Sequence, residues 1–306
     1  MPLSVILLVI ASALAHASWN AILKRCRDAE HAVVGMMFLA ATSSAVFAVA
    51  LRMPVPPPAS LTWCIAAGVL EAGYFVTLAR ALSRAPLGSV YTVVRGGALV
   101  IVWPVSVLAL GEPLTVSRAA GTSLVVLGLV ATGTSERSAL RTAAALRDAG
   151  GPRLATAGAA GAAAVVPRAT HSGLAVAALC ALFVGGYHLA YKLALSSGGR
   201  PEGVVSISLT TASLLNIATL GSRRRLALAA VRAQPLRIIA GGLLASAGFL
   251  VFLSAMKDAG AGVVLTLRNT SILFAQVLAF ALGERPRRLG LIGAGFVTAG
   301  AVLLAR

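Results

Sequence analysis

The sequence predicts an all-α integral membrane protein, with ten transmembrane helices arranged as two inverted five-helix repeats. Composition is the first reason. Of 306 residues, 58% are hydrophobic and 11% charged, and mean hydropathy is +0.90. A water-soluble chain of this length needs far more charge to solvate its surface. The apolar residues fall in ten runs, each close to the roughly 20 residues needed to cross a hydrocarbon core. The polar residues inside those runs also recur from one half of the chain to the other.

The first half predicts spans over 3–24, 33–51, 60–82, 87–109 and 115–132. Pro54, Pro56, Pro57 and Pro58 separate the second from the third, as a proline-rich turn does. The second half predicts spans over 172–194, 203–221, 236–256, 260–282 and 288–305. Met1 to Leu14 followed by Ala15-His16-Ala17 imitates a cleaved signal peptide. It lacks a basic leading region, and its polar end recurs later in the chain, so it is kept as a helix. The segment 133–171 carries five arginines and many Ala and Gly residues. It reads as a linker, with Ser135–Ala149 able to form a surface helix and 154–166 open as a further membrane segment. The expected organisation is therefore a first repeat over 1–132, the linker over 133–171, and a second repeat over 172–306.

The repeats match at several places. Thr92-Val93-Val94-Arg95-Gly96-Gly97 leads through an apolar run to Leu110-Gly111-Glu112-Pro113. Thr266-Leu267-Arg268-Asn269-Thr270 leads to Leu282-Gly283-Glu284-Arg285-Pro286. Arg95 stands seventeen residues before Glu112, and Arg268 sixteen before Glu284. The first span ends Trp19-Asn20-Ala21-Ile22-Leu23-Lys24 and the sixth Tyr187-His188-Leu189-Ala190-Tyr191-Lys192. Both closing spans are glycine-rich, with Gly121, Gly128 and Gly133 in one and Gly290, Gly293, Gly295 and Gly300 in the other. Small residues at such spacing let membrane helices pack closely. Five spans per repeat is an odd number, so the repeats enter the membrane in opposite senses.

The Trp-Asn-x-x-x-Lys end of the first span, the Arg-Gly of the fourth and the doubled Leu-Gly-Glu resemble the EamA branch of the drug/metabolite transporter superfamily. The resemblance covers nearly the whole chain apart from 133–171. It implies a ten-helix bundle carrying small metabolites or drugs, often outward and often coupled to protons or to exchange. A bacterial plasma (inner) membrane is the expected location.

The net charge of +17 does not point to nucleic acid, because no nucleic-acid motif accompanies it and the basic residues cluster between spans. Eighteen lie in loops on one side and six on the other. The positive-inside rule then places both termini outside, whereas the resemblance implies cytoplasmic termini. Cys26, Cys64 and Cys180 form no metal or disulfide pattern. No cofactor motif, phosphate loop, catalytic triad or carboxylate dyad occurs, so an enzyme is not expected.

Candidate substrate-binding residues are the polar groups inside spans. A charge near a bilayer centre costs about 2.5–3.5 kcal/mol on insertion scales, which makes Arg95 and Arg268 the leading candidates. Each can bind a carboxylate or phosphate as a fork, or else hold a carboxylate that only joins helices. Glu71 is the one acid well inside a span; it can carry a coupling proton, bind a substrate ammonium, or pair with an arginine. His16, Asn20 and Lys24 share one helix face at i, i+4 spacing and should avoid lipid. Trp19, Tyr187, His188, Lys192 and Asn269 complete the set, with Lys24 and Lys192 open either to the cavity or to snorkelling. Glu112 and Glu284 precede the closing spans and suit their helix dipoles. The expected cargo is a small anionic or zwitterionic metabolite, and the contrasting reading is a non-transporting membrane scaffold.

Overall fold

Prolines and short caps set the helix boundaries. The computed structural model describes residues 3–110, 115–148, 171–258, 268–284 and 287–304. Helix α1 spans Leu3–Lys24, and α2 spans Ala29–Ala50. Asp28 caps α2, its carboxylate accepting from the His31 backbone N–H at 3.2 Å and so satisfying one of the orphan donors of a first turn. Helix α3, Pro58–Arg84, begins with proline at its first position, where a missing N–H costs nothing. Then come α4 (Leu87–Leu110), α5 (Val116–Asp148), α6 (His171–Ser196) and α7 (Pro201–Thr219). A turn of 3₁₀ helix over Gly221–Arg223 leads into α8 (Arg224–Ala233), followed by α9 (Pro235–Asp258). The last two are α10 (Ser271–Ala281) and α11 (Arg288–Leu304). Gly283, at a φ of 79°, ends α10 in the left-handed conformation that glycine adopts without strain.

No strand occurs among the described residues. Helices α1, α2, α3, α6 and α9 are each long and apolar enough to cross a membrane, and α7 with α8 makes a sixth if that pair, bent by 104°, is one span. Helices α4, α5, α10 and α11 carry shorter apolar stretches. Length and composition thus support five or six full crossings among the described residues rather than the expected ten.

Three boundaries depart from expectation. Helix α5 does not stop near 132 but runs on to Asp148, absorbing most of the segment read as a separate surface helix. The basic stretch after α7 is helical, not a loop. Residues 269–270 form a turn before α10, so the expected span over 260–282 is not one continuous helix. Glu112, the 154–166 question and the residues Thr266 and Leu267 lie outside the described residues.

The two halves interlock. Helix α1 packs along α9 and α10, and α3 along α6 and α7; α2 lies against α7 and α9, and α4 against α6, α5 and α10. Helix α5 lies along α11, where glycines allow the backbones to meet. A Cβ on Gly128 would stand 2.5 Å from the Gly293 carbonyl oxygen, and one on Gly300 would stand 2.5 Å from that of Gly121. Large apolar side chains face outward on every long helix, among them Leu7, Phe38, Val69, Leu182, Leu214 and Val277. Charged and polar groups including Glu71, Arg95 and Arg268 are buried instead. Apolar residues outside and charges inside suit hydrocarbon as the surrounding solvent.

Candidate functional site

The inward stripe of α1 forms one wall of the polar interior. His16 and Asn20 are buried, and the Asn20 amide donates to the Tyr91 hydroxyl at 2.6 Å and to the His16 carbonyl at 2.7 Å. Tyr91 donates to that same carbonyl at 2.8 Å, tying α1 to α4. The Trp19 indole N–H reaches His16 Nδ1 at 3.3 Å, and the Arg268 guanidinium lies 3.3 Å from the same nitrogen. Indole and guanidinium nitrogens can only donate. His16 Nδ1 is therefore an acceptor, and the ring carries its hydrogen on Nε2.

Arg268 is fully buried. Its guanidinium carbon sits 3.7 Å from the centre of the Phe252 ring and 5.2 Å from that of Phe249, a geometry in which ring faces attract a cation. Among the described residues no carboxylate forms an ion pair with it, and its Nε and Nη1 have no hydrogen-bond partner. Arg95 is 4% exposed, and its Nη2 is likewise unpartnered. It opens on a small cavity with His16, Asn20, Tyr74, Tyr91 and Val94, whose free centre has room for little more than a water molecule. Arg95, Arg268, His16 and His188 lie within electrostatic range of one another.

Glu71, on α3, is buried and meets α6. The Tyr191 hydroxyl donates to its Oε1 at 2.5 Å and stands 2.9 Å from Ser208 Oγ. Glu71 Oε2 has no hydrogen-bond partner among the described residues. Of the alternatives open for Glu71, an ion pair with an arginine is not formed among the described residues; the Tyr191 hydroxyl donates to the carboxylate instead. The Tyr187 and His188 rings lie 4.4 Å apart, tilted by 49°, and Tyr187 meets Tyr191 edge-on at 5.5 Å; the Tyr187 hydroxyl and His188 Nε2 remain unpartnered among the described residues. Asn269 is buried beside Arg268 in sequence.

Lys24 stands at one end of this interior. Its ammonium forms an ion pair with Glu284 at 3.2 Å, the two side chains 7% and 4% exposed. It also donates to the carbonyls of Leu82 and Ala85 at 2.9 and 2.7 Å. Glu284 Oε2 accepts from the Leu87 N–H at 2.8 Å. Glu284 thus caps α4 rather than facing the start of α11. Burial raises its carboxyl above the usual carboxylate range, while Lys24 and the first N–H groups of α4 pull it back. Lys192 is half-buried.

The structure gathers His16, Trp19, Asn20, Glu71, Arg95, Tyr187, His188 and Arg268 into one buried region, and sets Lys24 apart in a staple. Sequence reasoning missed Tyr91, Tyr191, Phe249 and Phe252. Tyr191 was within reach, since it lies four residues from Tyr187 and shares its helix face. Phe249 and Phe252 carry no polar signal and gain meaning only from Arg268 above them.

Residues 171–306 match the EamA-like transporter family. One solved structure, described only as the crystal structure of a protein, aligns over 99% of this chain and 96% of its own length, at 18% identity and a TM-score of 0.56. That likeness shows the fold alone. No curated protein matches the chain.

Proposed function

From a second half that matches the EamA-like transporter family, we propose that the whole chain is a secondary transporter for a small anionic or zwitterionic metabolite. The chain is a multi-pass integral membrane protein, and the matched family consists of transporters. In this reading two inverted repeats, 1–132 and 172–306, rock about the buried arginines by alternating access, and 133–171 links them. Export is the direction the family resemblance implies.

Packing supports the repeat. Let α1 to α5 correspond to α6, α7, α9, α10 and α11. A two-fold axis exchanging the halves then requires neighbours to occur in reciprocal pairs. They do: α1–α9 with α3–α6, α2–α9 with α3–α7, and α1–α10 with α4–α6. Three helices also touch their own counterparts, as α2–α7, α4–α10 and α5–α11. In inverted-repeat transporters the substrate site lies near the midplane, at the repeat interface. Arg95 lies in α4, and Arg268 stands just before α10, the helix matched to it in this reading.

The observation that carries the cargo class is the pair of buried guanidiniums with no carboxylate in ion-pair contact among the described residues, Glu71 being near enough to Arg268 only to feel its charge. Uncompensated buried cations cost several kcal/mol each, and an anionic group between them relieves both that cost and their mutual repulsion. A scaffold with structural charges would be closed and fully paired. This interior is closed, as the scaffold reading expects, yet guanidinium donors on Arg95 and Arg268 are left without a partner among the described residues.

A thermal-shift screen on the purified protein tests the reading. Carboxylate- or phosphorus-containing metabolites raise Tm in proportion to ln(1 + [L]/Kd), and their neutral amides or esters do not. Stabilisation by uncharged or purely cationic compounds alone would overturn the cargo class.

A further inference from the structure

Helix α8 plays no part in the transport site, and its three faces differ in chemistry. Ala227 and Ala230 are buried, and Val231 is half-buried against Gly35 of α2. These three residues at i, i+3 and i+4 anchor the helix to the protein. Leu226, Ala229 and Ala233, at i, i+3 and i+7, are exposed and form a second, apolar face, with Leu226 52% exposed. Arg225 and Arg232, seven residues apart, share a third face and are both exposed, with Leu228, 50% exposed, beside them. Arg223 and Arg224 extend the charge at the start of the helix, also exposed.

The chain turns by 104° between α7 and α8, so α8 crosses the end of the bundle instead of continuing through it. More basic residues gather at that end. Arg25 and Arg27 in the α1–α2 connection are exposed, and Arg237 donates to the Arg25 carbonyl at 2.7 Å. Among the described acids at this end, Asp28 is taken by His31, Glu30 by Arg80 and Arg84, and Glu284 by Lys24. Arg223, Arg224, Arg225 and Arg232 appear in none of these ion pairs.

We propose that α8 is an interfacial helix that binds anionic phospholipid headgroups, with Leu226, Ala229 and Ala233 in the acyl boundary and the arginines on the phosphates. A short helix with one apolar and one basic exposed face, lying across the ends of spanning helices, has the build of an element seated in the headgroup layer. The charge is complementary to the anionic surface of a cytoplasmic leaflet, where the basic count also places this end.

The test uses purified full-length protein in mixed micelles of neutral detergent with phosphatidylglycerol, with phosphatidylcholine, or with inorganic phosphate alone. Tm and lipid retention by native mass spectrometry are read together. Phosphatidylglycerol raises Tm and stays bound, and the other two additions do neither. In Arg225→Gln/Arg232→Gln, phosphatidylglycerol binds about thirtyfold more weakly, on the order of fivefold per arginine. Arg52→Gln/Arg200→Gln, at exposed positions of the opposite end, binds it as the unaltered protein does. Equal retention of phosphatidylglycerol by both double variants, equal effects of the two lipids, or an equal shift from phosphate alone would overturn the proposal. Both pairs are exposed, so loss of folding in the α8 pair but not in the control would also contradict a surface role for its arginines.

Discussion

At the scale of single residues, the Lys24–Glu284 pair illustrates how a buried charge is made tolerable. Each partner is hidden, and each has a second set of contacts, with carbonyls of α3 for Lys24 and an N–H of α4 for Glu284. Removing one partner of such a pair costs about 3–5 kcal/mol, because the other is left buried and uncompensated. Lys24→Met alone and Glu284→Gln alone are therefore expected to lower Tm sharply, and the double variant to lie closer to the unaltered protein than the two losses summed. A double-mutant cycle by thermal unfolding measures this, and strict additivity would contradict the coupling. Glu71 makes a different prediction. Its Oε1 accepts from Tyr191, and glutamine keeps that acceptor without being able to ionise. If Glu71 carries a coupling proton, Glu71→Gln retains substrate exchange in proteoliposomes and loses uptake driven by a pH gradient. Equal loss of both would make it a structural group. The polar residues themselves were legible in the sequence because ionisable groups are rare inside apolar runs. Their partners were not: Glu284 is 260 positions from Lys24 and Tyr191 is 120 from Glu71, and only folding brings them together.

At the scale of elements, close approach of α5 and α11 rests on missing side chains. Leucine at Gly128 or Gly300 must displace a backbone carbonyl that the Cβ alone would meet at 2.5 Å. Overpacking of this kind costs about 1–3 kcal/mol, so either substitution lowers Tm in detergent. Gly295 on the same helix has nothing within 4 Å of a built Cβ, and leucine there leaves Tm nearly unchanged. Equal losses at all three positions would contradict close packing as the cause, because glycine-to-leucine otherwise gains helix propensity. This stripe was readable from glycine spacing alone. Helix α8 was not, because a density of arginines reads as a loop between membrane spans. Its helical signal is confined to ten residues, and most of the apolar positions are small alanines. The run over α5 past residue 132 was hidden for the opposite reason. Ser135–Asp148 is a good helix former, but its polar composition suggested a break where the backbone simply leaves the apolar zone.

At the scale of the whole molecule, the basic residues of the α1–α2 connection and of α8 share one end, and α11 runs from the Arg287–Arg288 turn toward the other. Positive-inside bias predicts that the basic end faces the cytoplasm, against the cytoplasmic termini that the family resemblance implies. Alkaline phosphatase fused after Arg306 is then active and a fluorescent protein at the same place is dark; the reverse pair would show that the charge count does not set orientation here. The doubling of motifs was visible in the sequence because polar residues recur at matching spacings inside apolar runs. Which helices pack on which was not, since packing is a property of surfaces rather than of spacing. In the proposed function, Arg95 and Arg268, one from each half, form a single anion site. The most direct measurement is binding of a stabilising anion to purified Arg95→Gln and Arg268→Gln, with the lysine variants beside them. Both glutamine variants are expected to fold and to lose binding, and lysine to restore it only in part because it lacks the fork. Unchanged affinity in both glutamine variants would contradict the site and favour a scaffold with structural charges.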